Sequence, residues 1–263
     1  MSPIANAPKV AIFAGGFGTR LSEETAIRPK PMVEIGGMPI LWHIMKYYAA
    51  YGCREFVIIG GYKIEYIRDF FLNFRQRTSD FTINLASGKV EFHDPWREDW
   101  QVSVVDTGKD TMTGGRLKRV RHLLGDGTFF LTYGDGLSTV PLDRLLQEHS
   151  ASDRWCTLTA VVQPGRYGSL HLADDGSVEG FREKGRMDGG LINGGFFVCE
   201  PEVFDVIDGD DTVWEEEPMG RLIEAGRLGS FRHEDFWQSM DSLRDKEVLE
   251  AIWADSPPWK IWP

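Results

Sequence analysis

Residues Gly15 to Leu21 read Gly-Gly-Phe-Gly-Thr-Arg-Leu and follow directly on the apolar run Val10-Ala11-Ile12-Phe13-Ala14. A short way downstream stands Pro29-Lys30-Pro31. A buried strand that opens into a glycine-rich loop can turn backbone N–H groups toward an anion, because no Cβ obstructs the approach. Arg20 and Lys30 would neutralise what the amides orient, and a triphosphate is the natural guest. The pattern is not the G-x-x-x-x-G-K-[ST] phosphate loop. Nor is it the dinucleotide fingerprint G-x-G-x-x-G, since Leu21 stands in the third glycine's place. Alone, the loop reads equally as a strand-to-helix turn with a surface arginine. The prolines shift the balance, because they fix φ around Lys30 and exclude a regular helix there.

Two carboxylates have the right surroundings for a cation. Asp135 lies between Gly134 and Gly136 at the end of an apolar run, and Asp241 follows Phe236 to Met240 at the start of a helical stretch. A Gly-Asp-Gly turn and a helix N-cap are the structural alternatives. Mg²⁺ takes carboxylate oxygens together with substrate phosphate oxygens, usually with only one or two protein ligands. Two aspartates on different elements, facing a phosphate loop, would meet that demand.

Other groups suit a phosphorylated sugar. Glu183-Lys184 offers an acceptor for hydroxyls beside a cation for a monophosphate, or else a solvated surface pair. Asn193-Gly194-Gly195 starts a strand where a ligand can come close. Thr113-Gly114-Gly115-Arg116 starts a helix whose free N–H groups and Arg116 could also meet an anion. The six histidines show no partner spacing, and no Ser-His-Asp, Cys-His or H-E-x-x-H arrangement occurs.

The elements that must position these residues alternate in the first half. Val10 to Ala14, Phe56 to Ile59, Val102 to Val105 and Phe129 to Thr132 read as buried strands. The spacing of Ile40, Leu41, Ile44, Met45 and Tyr48, and of Ile64, Ile67, Phe70, Phe71 and Phe74, predicts helices between them, with another over Gly115 to Leu124. This is the pattern of an α/β fold: a Rossmann-like, mostly parallel mixed sheet with helices on both faces. Ligands bind such sheets at the carboxyl ends of strands, where both the glycine loop and the Gly-Asp-Gly turn fall. A hairpin over residues 81–100, with Trp96 and Trp100 after it, reads as a cap on the sheet or a subunit contact. The second half adds short strands at Thr157 to Val162, Leu170 to Leu172, Val178 to Phe181 and Phe196 to Cys199. They make a small β-rich substrate-binding extension, followed by helices at Trp214 to Glu224 and Asp241 to Trp253. No linker separates the halves. Residues 1–263 therefore read as a single domain, with 9–150 as its nucleotide-binding part and 151–263 as its sugar-phosphate part.

Composition narrows the function. The chain has 263 residues, 42% of them hydrophobic, and a net charge of −11. That acidity argues against a surface for nucleic acid or anionic lipid. Arg20, Arg28, Lys30, Arg116, Lys118 and Arg119 nevertheless gather near glycines, as a grip on a small phosphorylated molecule would require. Cys53, Cys156 and Cys199 are read as buried free thiols, with neither disulfide framework nor zinc site indicated. No signal peptide or membrane span is visible, and the cytoplasm is the expected compartment.

Taken together, the motifs resemble the sugar-1-phosphate nucleotidylyltransferases. The general likeness lies in Gly15-Gly16-x-Gly18-Thr19-Arg20-Leu21, Pro29-Lys30-Pro31, Tyr133-Gly134-Asp135, Glu183-Lys184 and Asn193-Gly194-Gly195. Ser22 to Thr25, Val104 to Gly108, Met112 to Val120 and Trp237-x-x-Met240-Asp241 resemble the members that use CTP and glucose 1-phosphate. The likeness runs from about Lys9 to Lys260. It implies transfer of a cytidylyl group from CTP to α-D-glucose 1-phosphate, giving CDP-glucose and pyrophosphate; UTP or dTTP, or a different sugar 1-phosphate, is the alternative. Ala14, Gly15, Gly16, Gly18 and Thr19 would hold the nucleotide phosphates, with Thr111 and Arg116 seating the nucleotide. Arg20 and Lys30 would offset charge, Asp135 and Asp241 would bind Mg²⁺, and Glu183, Lys184 and Asn193 would face the hexose phosphate. The resemblance also implies a homo-oligomer, with a hexamer among the options. Residues 81–100 and 259–262 are the plausible contacts, and the product would feed cell-surface polysaccharide synthesis. Two departures stand out. Lys184 is followed by Gly185 where proline is common, opening a glycine-rich loop to Gly190, and the first seven or eight residues extend beyond the usual start.

Overall fold

The computed structural model describes residues 3–18, 21–25, 27–93, 98–162, 169–172, 178–182 and 190–263. Eight strands form the central sheet: Lys9–Ala14 (β1), Glu55–Gly60 (β2), Gln101–Asp106 (β3), Phe129–Tyr133 (β4), Cys156–Val162 (β5), Leu191–Asn193 (β6), Phe197–Cys199 (β7) and Leu228–His233 (β8). Their order is β6-β5-β7-β4-β1-β2-β3, with β8 alongside β5. Pairs β1–β2, β1–β4, β2–β3 and β5–β8 are parallel, whereas β7 runs antiparallel to both β4 and β5. The sheet is thus mixed and mostly parallel, as the alternation predicts.

Period-two alternation along β1 sends side chains to two separate cores. Val10, Ile12 and Ala14 face one with Tyr48, Ile67, Leu145 and Leu249. These come from helices Ile40–Ala50 (α1), Ile64–Leu72 (α2), Leu142–Ser150 (α3) and Leu243–Asp255 (α4). Ala11 and Phe13 face the other core, with Leu117, Leu124, Trp214 and Leu222. Both faces are covered, so the strands bury apolar side chains on each side and read as continuous hydrophobic runs.

Several boundaries differ from the sequence reading. The predicted helix over Gly115 to Leu124 is two pieces, Thr113–Arg119 and Arg121–Leu124, broken at Val120. The helix predicted from Trp214 begins at Glu217 with proline in its first turn, because Trp214 is fully buried as a core residue ahead of it. Asn193 to Gly195 end a strand rather than start one: Gly195 and Phe196 adopt positive φ (75° and 48°), and pairing to β5 resumes at Val198 two residues out of step. The hairpin Phe81–Asn84 with Lys89–Phe92 is present. Trp100 is not a free surface aromatic; it packs on Phe56 and Phe74. Trp259 and Trp262 are likewise buried in the chain's own core around His43, which removes them as exposed contacts. All three cysteines are buried free thiols. Among the described residues no helix is long and apolar enough to cross a membrane.

Candidate active site

The C-terminal ends of β1 and β4 and the segment that follows β3 line one cleft of about 510 Å³. The glycine loop leaves β1 and the Gly134-Asp135 turn leaves β4, where the switch in a parallel sheet opens a crevice. Gly134 N–H donates to the Phe13 carbonyl at 2.9 Å, and a Cβ on Gly134 would stand 2.6 Å from that oxygen. Only glycine permits this approach. Across the loop, Gly18 sits at φ 61°, and the Thr25 hydroxyl donates to its carbonyl. The N–H groups of Gly16, Phe17 and Gly18 donate to no backbone acceptor among the described residues, which leaves them available to an anion.

Lys30, Asp135 and Asp241 meet. Lys30 Nζ donates to Asp135 Oδ2 and to Asp241 Oδ1, each at 2.7 Å. Pro29 holds φ −68° and ψ 150°, and Pro31 lies in the short 3₁₀ turn Lys30–Met32, so the lysine backbone is fixed on both sides. Asp135 and Asp241 are joined through their neighbours: strand Gly136–Ser138 pairs antiparallel with Trp237–Ser239, and Met240 N–H donates to the Asp135 carbonyl at 2.9 Å. Asp241 is not the N-cap of α4. Ser242 takes that place in a capping box with Asp245, whose carboxylate also accepts from the Asp241 N–H. The Asp241 carboxylate therefore points to Lys30 and accepts from Ser239 Oγ at 2.9 Å. Burial works against the charged form of Lys30, but the two carboxylates outweigh it and its pKa is raised.

Arg116 is a hub rather than a free cation. Its Nη1 donates to the Gly60 carbonyl, to Thr107 Oγ1 and to the Gly108 carbonyl, and its Nη2 donates to the Lys109 carbonyl. The guanidinium fits between Gly15 and Gly61, where added Cβ atoms would stand 2.6 and 2.2 Å from Nη1. Arg116 thus fixes the loop carrying buried Thr111, on the side of the cleft opposite Lys30.

The helix start at Thr113 spends most of its N–H groups within the chain, the Thr113 N–H itself donating to no acceptor among the described residues. Met112 donates to the Asp210 carbonyl, and Gly114 and Gly115 donate to the Thr212 carbonyl. The two glycines serve packing, since a Cβ on either would collide with backbone of Asp210 or Thr212. Three of the cations grouped as a phosphate grip are spent elsewhere. Arg28 pairs with Glu34, Arg119 forms a two-point pair with Asp210, and Lys118 donates to the Ile207 and Asp208 carbonyls.

Asn193 lies at the end of β6 with Nδ2 3.4 Å from the Tyr133 hydroxyl. That hydroxyl donates to Glu215 Oε1 at 2.7 Å, and Thr113 Oγ1 donates to Glu215 Oε2 at 2.7 Å. Burial, with the Glu215 carboxylate beside it, pushes the Tyr133 phenol well above its usual range and keeps it a donor. Tyr133 enters the sequence reading only as part of the Tyr133-Gly134-Asp135 motif, with no role of its own, and Glu215 and the exposed Lys109 at the cleft edge escape it. Tyr133 ends a strand next to Gly-Asp, a place that marks it for a role, whereas Glu215 carries no local signal. Thr19, Arg20, Glu183 and Lys184 lie outside the described residues.

A phosphate-sized loop, a cation held by two converging carboxylates, and a cleft at the switch of a parallel sheet define a nucleotide-handling α/β protein. The chain belongs to the nucleotidyl transferase family, which it matches over residues 9–237. It is 49% identical over 256 residues to the glucose-1-phosphate cytidylyltransferase of Salmonella typhi, covering 97% of this chain and 99% of that protein. It is 40% identical to the probable glucose-1-phosphate cytidylyltransferase of Bacillus subtilis (strain 168), again over 97% of this chain and all of the relative. Among solved structures, HddC from Yersinia pseudotuberculosis has a similar fold, with a TM-score of 0.67 at 23% identity over 94% of this chain and 99% of that one.

Proposed function

We propose that this chain transfers the cytidylyl group of CTP to α-D-glucose 1-phosphate, releasing pyrophosphate and forming CDP-glucose. The Lys30–Asp135–Asp241 cluster beside the amide-lined loop carries the chemistry. The choice of CTP and glucose 1-phosphate rests on the names of the relatives matched over 97% of the chain.

In this reading a phosphate oxygen of the sugar phosphate attacks the α-phosphorus in line. A new P–O bond forms, and the bond to the bridging oxygen breaks with its electron pair leaving on pyrophosphate. A phosphate monoester is already largely ionised near pH 7, so neither a protein nucleophile nor a general base is required. The chain contributes position and charge. The Gly16 to Gly18 amides orient the phosphates, Lys30 meets their negative charge, and Arg116 keeps the opposite loop in place.

The donor set suits Mg²⁺: two carboxylates from separate elements, near enough that one ammonium nitrogen touches both at 2.7 Å. When bound through Asp135 and Asp241, the ion supplies positive charge against the phosphate oxygens. On the sugar side Asn193, with Glu183 and Lys184, would receive the hexose phosphate, and Thr19 and Arg20 complete the loop. In the same reading residues 1–263 form one unit that works in the cytoplasm as a homo-oligomer, with a hexamer among the options.

The test is turnover of glucose 1-phosphate with Mg²⁺ and CTP, UTP, dTTP or GTP in turn, following pyrophosphate and the nucleotide sugar. CTP should be preferred by at least tenfold in kcat/KM. Equal turnover with another nucleotide would overturn the assignment of the base.

A further inference from the structure

Lys30 stands where a metal would stand. Its Nζ touches Asp135 Oδ2 and Asp241 Oδ1 at 2.7 Å each. A magnesium ion held by these two aspartates would need the same two oxygens that the ammonium occupies, at the still shorter contact of about 2.1 Å. Two cations cannot share the place, because their repulsion is unscreened at such separation. We infer that Lys30 is an internal counter-ion that refuses free divalent metal, so that the metal enters only together with the triphosphate. This rests on the transferase reading of the same site and adds to it the order in which the site fills.

The surroundings support the exchange. The Asp241 carboxylate cannot easily turn away to build a separate metal seat, and the backbone of Asp135 beside it is fixed. Asp241 Oδ2 accepts from Ser239, its N–H is held by Asp245, and the Asp135 carbonyl is tied to Met240. The Lys30 backbone is fixed by its two prolines, so only its side chain can move. That side chain starts beneath the glycine loop, with Cβ 3.3 Å from where a Cβ on Gly18 would be. A triphosphate seated on the Gly16 to Gly18 amides therefore lies within reach of the ammonium. It offers Lys30 new anionic partners and releases the two carboxylates to the metal that the triphosphate carries. Without nucleotide, the lysine and two aspartates keep only one net negative charge between them, a weak attraction for a divalent ion.

The experiment uses Mn²⁺ alone, titrated into the full chain without nucleotide and followed by the electron paramagnetic resonance signal of the free ion. Wild type should bind weakly. Lys30→Met, which keeps the length of the side chain and removes its charge, should bind at least tenfold more tightly. Lys30→Gln should do the same, and serves where the methionine variant folds poorly; circular dichroism identifies that case. Lys30→Arg, which retains the charge, should stay within about threefold of wild type. Adding Asp241→Asn to Lys30→Met should abolish the gain. Tight Mn²⁺ binding by wild type, no gain in either neutral variant, a gain in Lys30→Arg, or a gain that survives Asp241→Asn would each overturn the inference. No nucleotide is present, so the outcome is independent of whether CTP is the substrate.

Discussion

The Tyr133 hydroxyl donates to the Glu215 carboxylate at 2.7 Å, and the other oxygen of the same carboxylate accepts from Thr113 at 2.7 Å. One side chain thereby ties the strand that delivers Asp135 to the helix start at the other side of the cleft. Among the described residues neither hydroxyl donates to another carboxylate once Glu215 is gone. Glu215→Ala should lower kcat/KM about tenfold, about 1.4 kcal/mol of transition-state stabilisation. Thermal stability should change little, since exposed pairs contribute little to folding. Steady-state kinetics beside a melting curve test this, and an unaltered kcat/KM would remove Glu215 from the account.

Asp135→Asn and Asp241→Asn address the chemistry itself. Each removes one of the two charges that meet at Lys30. Losing one positioned charge at a phosphoryl-transfer site costs about 10²–10³ in kcat. Both variants should fold, because each asparagine can still accept a hydrogen bond at the same place. Near-normal turnover in both would separate this cluster from catalysis.

Arg116 makes a different prediction, in stability and in binding together. Arg116→Met removes a donor from four oxygens; the Gly60 carbonyl keeps the Thr107 N–H and hydroxyl, so the loss falls chiefly on the Gly108 and Lys109 carbonyls. Unsatisfied buried acceptors cost about 1–3 kcal/mol each, softened where water can enter. A loss of about 2–4 kcal/mol is expected, visible as a lower urea midpoint. KM for the nucleotide should rise as the loop at Thr111 loosens. Arg116→Lys should rescue only part of either effect, because an ammonium cannot span the same fork of acceptors. Wild-type midpoint and KM in the methionine variant would contradict the role.

Stability should fall in acid through His43. Burial lowers its imidazole from 6.5 to about 4, with the Ile35 and Met38 carbonyls opposing. Its Nε2 lies 2.7 Å from the Ile35 carbonyl and its Nδ1 3.4 Å from Trp259 Nε1, a donor, so the neutral ring with Nε2–H fits both neighbours. The folded pKa lies below the unfolded one, so the unfolded chain takes up the proton first. The stabilisation is intact above about pH 6.5 and is lost as pH falls through 4, by about 3 kcal/mol. Melting temperatures of wild type and His43→Phe between pH 7 and 4 check this. The variant should show the shallower acid decline, and equal slopes would exclude His43 as the cause.

The strands were legible because a parallel sheet covered on both faces demands unbroken apolar runs, and Val10 to Ala14 and Phe56 to Ile59 are such runs. Lys30 was legible as a placed cation because its two prolines constrain backbone locally. The meeting of Asp135 with Asp241 was not, since it depends on residues 136–138 pairing with 237–239 across a long stretch of chain. Gly114 and Gly115 misled for a physical reason. Glycine announces that something approaches closely but not what, and here it is the backbone at Asp210 and Thr212 instead of a phosphate. Asp241 was ambiguous as a cap until Ser242 and Asp245 were seen to fill that role between them. Arg116 read as a ligand-facing cation because its four acceptors are carbonyls and a hydroxyl split between Gly60 and residues 107–109, two segments far apart in sequence, which no spacing rule detects.

Three of the four oxygens that Arg116 grips, those of Gly60, Gly108 and Lys109, belong to the main chain, which every residue type presents alike. The hold on the loop at the cleft edge therefore does not depend on the side chain at position 109. That position can be rewritten, by drift or by design, without moving the frame beneath it. The rim of the nucleotide cleft is thus a place where new preferences can be tried at little structural risk, on a scaffold that a single arginine keeps constant.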